Sequence, residues 1–130
     1  MTVVLDAWAV VELIAGSDAG REVNALLETE RPLMSWINLG EVFYGFRREQ
    51  GESEATAIVR DVRDAVEVLL PAEPDVLDAA RIKADFALSY TDAFAAATAL
   101  AYDATLWTGD PELLVADAPW TWRDLRRKGR

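Results

Sequence analysis

Four carboxylates are the side chains of this sequence best suited to chemistry: Asp6, Glu41, Asp92 and Asp110. Each lies where an apolar, strand-like or loop segment gives way to a helix-like one. The chain contains no His and no Cys, which excludes Ser-His-Asp and Cys-His nucleophiles, His-based ribonuclease chemistry and zinc–thiolate sites. What remains is carboxylate chemistry, alone or with a hard cation such as Mg²⁺ or Mn²⁺ that prefers oxygen ligands.

Taken singly, each of these acids can be explained as a residue that starts a helix. Acidic and small polar residues stabilise helix amino termini by about 1 kcal/mol without any catalytic role. Asp6 directly precedes a predicted helix, and the other acids belong to pairs that resemble a capping box or a helix start: Asn38 with Glu41, Ser89 with Asp92, and Asp110 with Pro111.

Asp92 favours a joint explanation of the four acids. It shares a helix face with Ala95, Ala96 and Ala99, and this small-residue face is the one best suited to lie on a sheet. A carboxylate on a packing face is costly unless something compensates it. Two carboxylates about 4 Å apart repel by roughly 4 kcal/mol at an effective dielectric near 20, so a cluster must bind protons or cations. A divalent ion is the simplest compensator in a chain without His.

Glu41 lies opposite an apolar helix stripe formed by Leu39, Val42, Phe43 and Phe46. A solvated position explains this glutamate as well as a site does. It joins the other acids only if the polar face of its helix lines the same cleft.

Short apolar strands alternate with helices along the chain. The predicted strands are Thr2–Leu5, Leu33–Ile37, Ala104–Thr108 and an edge strand at Pro119–Arg123. The predicted helices are Ala7–Ala15, a short one around Val23–Leu27, one capped by Asn38, a longer one along an apolar stripe from Ala55 to Leu69, one capped by Asp75 and running to Ala87, and an Ala-rich one from Ser89 to Tyr102. This order predicts an α/β fold, a three-layer sandwich with a short, mainly parallel sheet flanked by helices. Ligands of such sheets bind beyond the carboxyl ends of the strands, where Asp6 and Asp110 fall.

The length of 130 residues predicts one domain, spanning residues 1–130, because two ordinary domains would not fit. The longest nearly apolar stretch, residues 93–102, is about half of what a bilayer requires. The first six residues lack the basic segment of a secretory signal and reach an acid too soon. We therefore expect a cytoplasmic protein.

The net charge of −10 argues at first against a nucleic-acid partner, because phosphate binding normally requires a positive surface. The charge is uneven, however, since the last eight residues hold five basic side chains and one acid. This segment fits a solvated tail, or a basic arm that contacts phosphates or an acidic partner. The acidic remainder also fits a site that binds divalent cations.

Four short segments resemble one known family. They are Val4–Asp6, Ile37–Val42, Ser89–Ala93 and Leu106–Asp110, and in this order and spacing they are similar to the PIN-domain family, specifically to VapC-type ribonuclease toxins of toxin-antitoxin modules. The resemblance spans nearly the whole chain. Any one segment is weak support, whereas four in sequence on a chain of this length are fairly specific.

The resemblance implies a function and its partners. In such proteins a parallel sheet between helices gathers acids around Mg²⁺ or Mn²⁺, and the matching positions here are Asp6, Glu41, Asp92 and Asp110. Thr108 matches a Ser or Thr whose hydroxyl can hold a carboxylate or a metal-bound water. Members are commonly homodimers, and a cognate antitoxin inhibits them through a carboxyl-terminal segment that wraps the toxin and can enter the active site.

Two positions depart from the commonest pattern of the family. Trp8 stands where many members have a small hydroxyl residue, and Leu113 stands where many have an aromatic one. Trp8 fits either a core or an interface position, whereas Trp36 and Trp107 are predicted to lie in the core. A degenerate, inactive domain remains an alternative.

The leading hypothesis is metal-dependent hydrolysis of an RNA phosphodiester, with an ion-activated water as nucleophile. This mechanism predicts 5′-phosphate and 3′-hydroxyl ends. Basic residues that could hold the flanking phosphates are Arg47, Arg48, Lys83 and the cluster 126–128.

Two other classes of function are compatible with an acidic α/β chain. An Mg²⁺-binding receiver module requires an acidic pair after the first strand and a Lys late in the sheet, and here Asp6 is followed by Ala7 and Trp8. A non-catalytic binding module would use the acids as caps and the helices over Ala7–Leu27 and Leu39–Leu69 as a groove for a partner peptide. The last alternative is compatible with the first, because an antitoxin also needs a groove.

Overall fold

The computed structural model describes residues 1–127 and contains five strands and six helices over that range. The strands are β1 (Val3–Leu5), β2 (Leu33–Ser35), β3 (Glu67–Leu69), β4 (Thr105–Thr108) and β5 (Thr121–Asp124). The helices are α1 (Ala7–Ala15), α2 (Asp18–Leu27), α3 (Trp36–Gln50), α4 (Glu52–Ala65), α5 (Glu73–Asp85) and α6 (Tyr90–Ala101). Over the same 127 residues, no helix has both the length and the apolar character needed to cross a bilayer.

The five strands form one parallel sheet in the order β3-β2-β1-β4-β5. The chain fills one half of the sheet outward from β1 and then returns to place β4 on the other side of β1. The strand order therefore switches between β1 and β4, and the carboxyl ends of these two strands meet at the position where ligands bind in such sheets. The predicted parallel α/β architecture is confirmed.

Helices cover both faces of the sheet and complete two apolar cores. Because side chains alternate along a strand, Val3 and Leu5 of β1 face one core while Val4 faces the other. The first core takes apolar side chains from α1 to α4, among them Val10, Val23, Leu39 and Val62. The second takes small and apolar side chains from α5 and α6, among them Ala79, Ile82, Ala95 and Ala96. The predicted contact of the Asp92 helix face with the sheet is thereby confirmed.

The strand β3 was not predicted, and the helix predicted through Leu69 ends four residues earlier. The helix α4 stops at Ala65, after which Glu67, Val68 and Leu69 pair with β2. The guanidinium of Arg31 caps this helix end, donating to the backbone carbonyls of Arg63, Asp64 and Val66 at 2.9–3.2 Å. In the extended conformation, this segment pairs with the backbone groups at the open edge of β2. The long-range pairing stabilises the fold more than a longer α4 with a continued apolar stripe would.

Two predicted helix caps are wrong. Ser35 rather than Asn38 starts α3, because its hydroxyl accepts the Ile37 N–H at 3.2 Å, and β2 therefore ends at Ser35. Asn38 is fully buried within the helix instead. Asp75 lies inside the first turn of α5, where its carboxylate accepts the backbone N–H of Ala72 at 2.7 Å.

The tryptophans divide between core and surface. Trp107 is buried in the first core and Trp120 in the second, whereas Trp36 is half-buried beneath Arg63. Leu113 is fully buried, and its carbonyl accepts the indole N–H of Trp120 at 3.0 Å. The aliphatic Leu113, three residues after Asp110, thus lies in the same core as the aromatic Trp120.

Candidate metal centre

Asp6 leaves the end of β1 and caps α1. Its Oδ1 accepts the Ala9 N–H at 2.9 Å, and its extended backbone is that of an ordinary N-cap residue. The second oxygen, Oδ2, accepts a hydrogen bond from the hydroxyl of Thr108 at the end of β4. The residue is 1% exposed, so this carboxylate is buried where the ends of β1 and β4 meet.

Thr108 connects two of the acids. Besides donating to Asp6, its hydroxyl accepts the backbone N–H of Asp110 at 3.0 Å. The residue is fully buried, and the bond to Asp6 joins the ends of β4 and β1 across the switch point. The hydroxyl therefore sets the orientation of the Asp6 carboxylate and of the turn that carries Asp110.

Thr108→Val is expected to lower the affinity of this cluster for Mn²⁺ about 10- to 100-fold, the usual cost of losing a group that orients a metal ligand. It should also lower the free energy of unfolding by about 1–3 kcal/mol, because Asp6 Oδ2 and the Asp110 N–H lose a buried partner. Calorimetric titration with Mn²⁺ and urea unfolding curves measure the two effects. Thr108→Ser keeps the hydroxyl and is the matched control. Equal Mn²⁺ affinity of the valine and serine variants would contradict the role given to this residue.

Asp92 lies in the first turn of α6 with its carboxylate free of any capping role. Ser89 caps the helix, its hydroxyl accepting the Asp92 N–H at 3.1 Å. In a capping box the third residue would accept the N–H of the cap in return. Here Glu112 accepts the Ser89 N–H at 3.1 Å instead. Glu112 therefore completes the cap, and the carboxylate of Asp92 is left for the cleft.

Asp110 starts a turn rather than the predicted helix. Its Oδ1 accepts the Glu112 N–H at 3.0 Å, and the Leu113 N–H bonds to its backbone carbonyl at 3.0 Å. The turn does not propagate, because the chain must place Leu113 in the core and then return to form β5. The result is a compact loop that holds Asp110 and Glu112 on one side.

Glu41 and Asn38 lie on α3, facing α6. Asn38 Nδ2 donates to the carbonyl of Thr91 at 2.9 Å, which ties the first turn of α3 to the first turn of α6. Glu41, one turn further along α3, lines the same cleft as Asp92. The condition under which Glu41 joins the other acids is therefore met, and its Oε1 is buried without a hydrogen-bond partner in the described chain.

The structure brings a fifth acid into this group. Oxygens of Asp92, Asp110 and Glu112 all lie within 4.8 Å of one another. Glu112 was missed by sequence reasoning, which treated Asp110–Pro111 as a helix start. The available signal was the spacing: in a turn, residues two apart can present their side chains to the same side.

Burial dominates the electrostatics of these acids. It raises the pKa of Asp6 from 3.8 to about 7, against the hydrogen bonds from Thr108 and Ala9 and with a further increase from the charges of Asp110 and Glu41. Burial also raises the pKa of Asp92, helped by its proximity to Asp110. The pKa of Glu41 is raised by burial, an effect that the Thr91 hydroxyl opposes. In the absence of a cation, part of this cluster therefore binds protons near neutral pH.

A cleft of about 360 Å³ opens above the cluster. All the charged residues that line it are acidic, namely Glu12, Glu41, Glu49, Asp92 and Asp110. Its walls also carry Trp8 from α1 and Tyr44 from α3. The cleft thus combines a carboxylate-lined base with partly apolar sides.

The donor set fits a divalent cation. Three carboxylates converge within one coordination sphere, and the buried Oε1 of Glu41 lacks a partner. Hard oxygen donors of this kind suit Mg²⁺ or Mn²⁺. A cation would also remove the repulsion that raises the pKa of these acids.

A family model described as PIN domain matches residues 3–119. The chain belongs to the PIN-domain family. The family predicted from four short sequence segments is thus confirmed, and membership removes the receiver-module alternative. No curated protein sequence matches this PIN protein.

Solved structures share the fold of this PIN protein. VapBC-1 from nontypeable Haemophilus influenzae is 22% identical, with 98% of this chain and 100% of that chain covered and a TM-score of 0.75. DNA-bound VapBC from Salmonella typhimurium is 20% identical, with 96% and 98% covered and a TM-score of 0.78. VapC20 from Mycobacterium tuberculosis, described as a Sarcin-Ricin loop cleaving toxin, is 17% identical, with 88% and 95% covered and a TM-score of 0.71.

Proposed function

We propose that this protein is a metal-dependent endoribonuclease toxin, which hydrolyses RNA phosphodiester bonds and is neutralised by a cognate antitoxin. The observation that carries the proposal is the convergence of Asp92, Asp110 and Glu112 in a PIN domain, where Asp92 and Asp110 also line the acidic cleft. Similarity of fold to VapC20, described as a toxin that cleaves the Sarcin-Ricin loop, gives further support.

The residues have distinct roles in this proposal. Asp92, Asp110 and Glu112 would hold the cation directly, with Glu41 beside them and Asp6 beneath. When bound, a divalent cation of this kind activates water, orients the scissile phosphate and neutralises charge on the leaving oxygen. The identity of the ion is proposed as Mg²⁺ or Mn²⁺ from the all-oxygen donor set.

Several features of the chain itself prepare this chemistry. Thr108 fixes the carboxylate of Asp6, and the Ser89–Glu112 bond leaves Asp92 without a competing donor. Asn38 holds α3 against α6. The sequence has no His, so no imidazole is present to act as a base.

The purified protein is expected to cleave single-stranded RNA in Mn²⁺ or Mg²⁺ and to lose activity in excess EDTA. The products should carry 5′-phosphate and 3′-hydroxyl ends, because an activated water attacks the phosphorus rather than the neighbouring 2′-hydroxyl. Ligation and phosphatase assays of the product ends make the measurement. A 2′,3′-cyclic phosphate, or full activity in EDTA, would contradict the mechanism.

The proposed antitoxin partner has a groove available on this surface. Apolar side chains of α1, α2 and α4 line a second cavity of about 290 Å³, among them Leu13, Ile14, Leu27, Ile58 and Val62. Several solved structures of similar fold are described as VapBC or toxin-antitoxin complexes. A gene for a small DNA-binding protein immediately upstream would add support. A purely non-catalytic module would need this groove but has no use for the acid cluster.

We also propose a homodimer acting in the cytoplasm, where RNA substrates are found. Exposed apolar side chains on α5 and α6 favour a second copy as a partner; they are Val76, Leu77 and Leu100. These residues lie on helices of the second core, whereas the groove lies on helices of the first.

A further inference from the structure

Two aromatic side chains border the acid cluster. Trp8 lies in the first turn of α1, two residues after Asp6, and Tyr44 lies one turn beyond Glu41 on α3. Both line the acid-lined cleft, and Tyr44 is 48% exposed. Each ring is therefore attached to an element that also carries one of the acids.

Trp8 is held in place by the end of β4. A Cβ built at Gly109 would lie 2.3 Å from Cζ2 of the indole, so any larger residue at this position would clash with the ring. Gly109 thus lets the ring pack directly against the backbone between Thr108 and Asp110. The indole is fixed beside the candidate metal ligands while it remains only partly buried.

The charge of the cleft limits how RNA could bind there. Its charged lining residues are all acidic, and the whole chain has a net charge of −10. Affinity that comes from neutralising phosphates would require a basic groove. The guanidinium of Arg48 lies 5.2 Å from the ring centre of Tyr44, which places one cation beside an aromatic ring at this cleft. Apart from the contact of the proposed cation with one phosphate, stacking is the remaining large source of affinity, since every base has an aromatic face.

We propose that Trp8 and Tyr44 form a base-stacking wall, which holds unpaired bases of single-stranded RNA next to the phosphate to be cut. The inference rests on the proposed nuclease function and adds the side chains that hold the substrate: Trp8 and Tyr44 would stack on bases that are unpaired at the site. Double-stranded RNA, with its bases stacked on one another, cannot use such a wall.

Trp8→Ala is expected to weaken binding of a labelled single-stranded 12-nucleotide RNA about 5- to 150-fold, the range that corresponds to loss of one stacked base. Binding is measured by fluorescence anisotropy with Asp92→Asn added to every protein, so that the RNA stays intact. Trp8→Phe should bind nearly as well as the parent, and Tyr44→Ala should weaken binding in the same way as Trp8→Ala. Tyr102→Ala, which removes an exposed ring far from the cleft in sequence and outside its lining, is the matched control.

RNAs with a single abasic position distinguish stacking from a purely structural role. An RNA whose abasic position contacts the wall should bind the parent more weakly than intact RNA does. The same abasic RNA should bind the Trp8→Ala variant no worse than intact RNA does. The inference would be overturned if Trp8→Ala weakened the binding of intact RNA and of every abasic RNA by the same factor. Should Trp8→Ala fail to fold, as unfolding curves would show, the Tyr44→Ala pair with the same RNAs provides the test.

The remaining outcomes separate this inference from the proposed function. Binding that depends on Trp8, without metal-dependent cleavage by the wild-type protein, would support the wall and overturn the nuclease. Cleavage by the wild-type protein with unchanged RNA binding by Trp8→Ala and Tyr44→Ala would support the nuclease and overturn the wall. Preference for double-stranded over single-stranded RNA would overturn the wall as well.

Discussion

Asp92→Asn is expected to lower Mn²⁺-dependent RNA cleavage by at least about 100-fold. Loss of a group that merely orients a metal ligand costs about 10- to 100-fold, and Asp92 is proposed to hold the ion itself. Its carboxylate lies within 4.8 Å of those of Asp110 and Glu112 and makes no capping bond. Initial rates on a single-stranded RNA, with purified wild-type and variant proteins, measure the change.

The same variant separates function from stability. Asparagine has the same shape and carries no charge, so the metal-free variant should unfold at the same or a higher temperature at pH 8. Asp85→Asn, an exposed change at the end of α5, is the matched control and should cleave at the wild-type rate. Wild-type activity of Asp92→Asn would exclude Asp92 from the site.

The metal-free protein is expected to lose stability as the pH rises from about 4 to about 7. The pKa of Asp6 is 3.8 in the unfolded chain and about 7 in the folded protein. Between these two pH values the folded state holds a proton that the unfolded state has released. For Asp6 alone the loss is roughly 4 kcal/mol, at 1.36 kcal/mol per pKa unit, or on the order of 10 °C in the melting temperature. Melting curves in EDTA across this pH range measure it.

A cation should reverse this trend. Mg²⁺ or Mn²⁺ in excess is expected to raise the melting temperature at pH 8 and to have little effect at pH 5, where Asp6 and Asp92 hold protons. Asp6→Asn keeps a good helix cap and cannot titrate, so it should flatten the pH dependence measured in EDTA. Melting temperatures that rise with pH in EDTA would contradict the electrostatics described for Asp6.

Much of the fold could be predicted from local sequence patterns, because the apolar patterns of β1, β4 and α6 are strong. The strand β3 could not, since its residues continue an apolar helical stripe. Its extended form depends on the open edge of β2 and on Arg31, which reaches the end of α4 from more than thirty residues away. Asn38 was misread for a similar reason, because its bond to Thr91 on α6 is a tertiary contact.

The candidate site was predicted in part. Asp6 and Asp110 could be grouped because parallel strands bring their carboxyl ends together. Asp92 could be added because it lies on the helix face that packs on the sheet. Their metal-binding role remains a prediction. Glu112 could not be placed, because a turn and a helix start share the sequence Asp-Pro. Only the packing of Leu113, which ends the turn, decides between the two.

The hydrogen bond between Thr108 and Asp6 joins residues that are 102 positions apart in the sequence. Proteins are made from the amino terminus, so Asp6 and Glu41 leave the ribosome long before the turn that carries Asp110 and Glu112. A nascent chain that stops before Thr105 therefore lacks Thr108, Asp110 and Glu112, and one edge of its β1 is unpaired. The site can therefore assemble only after the segment from Thr105 to Glu112 has been made and has paired with β1.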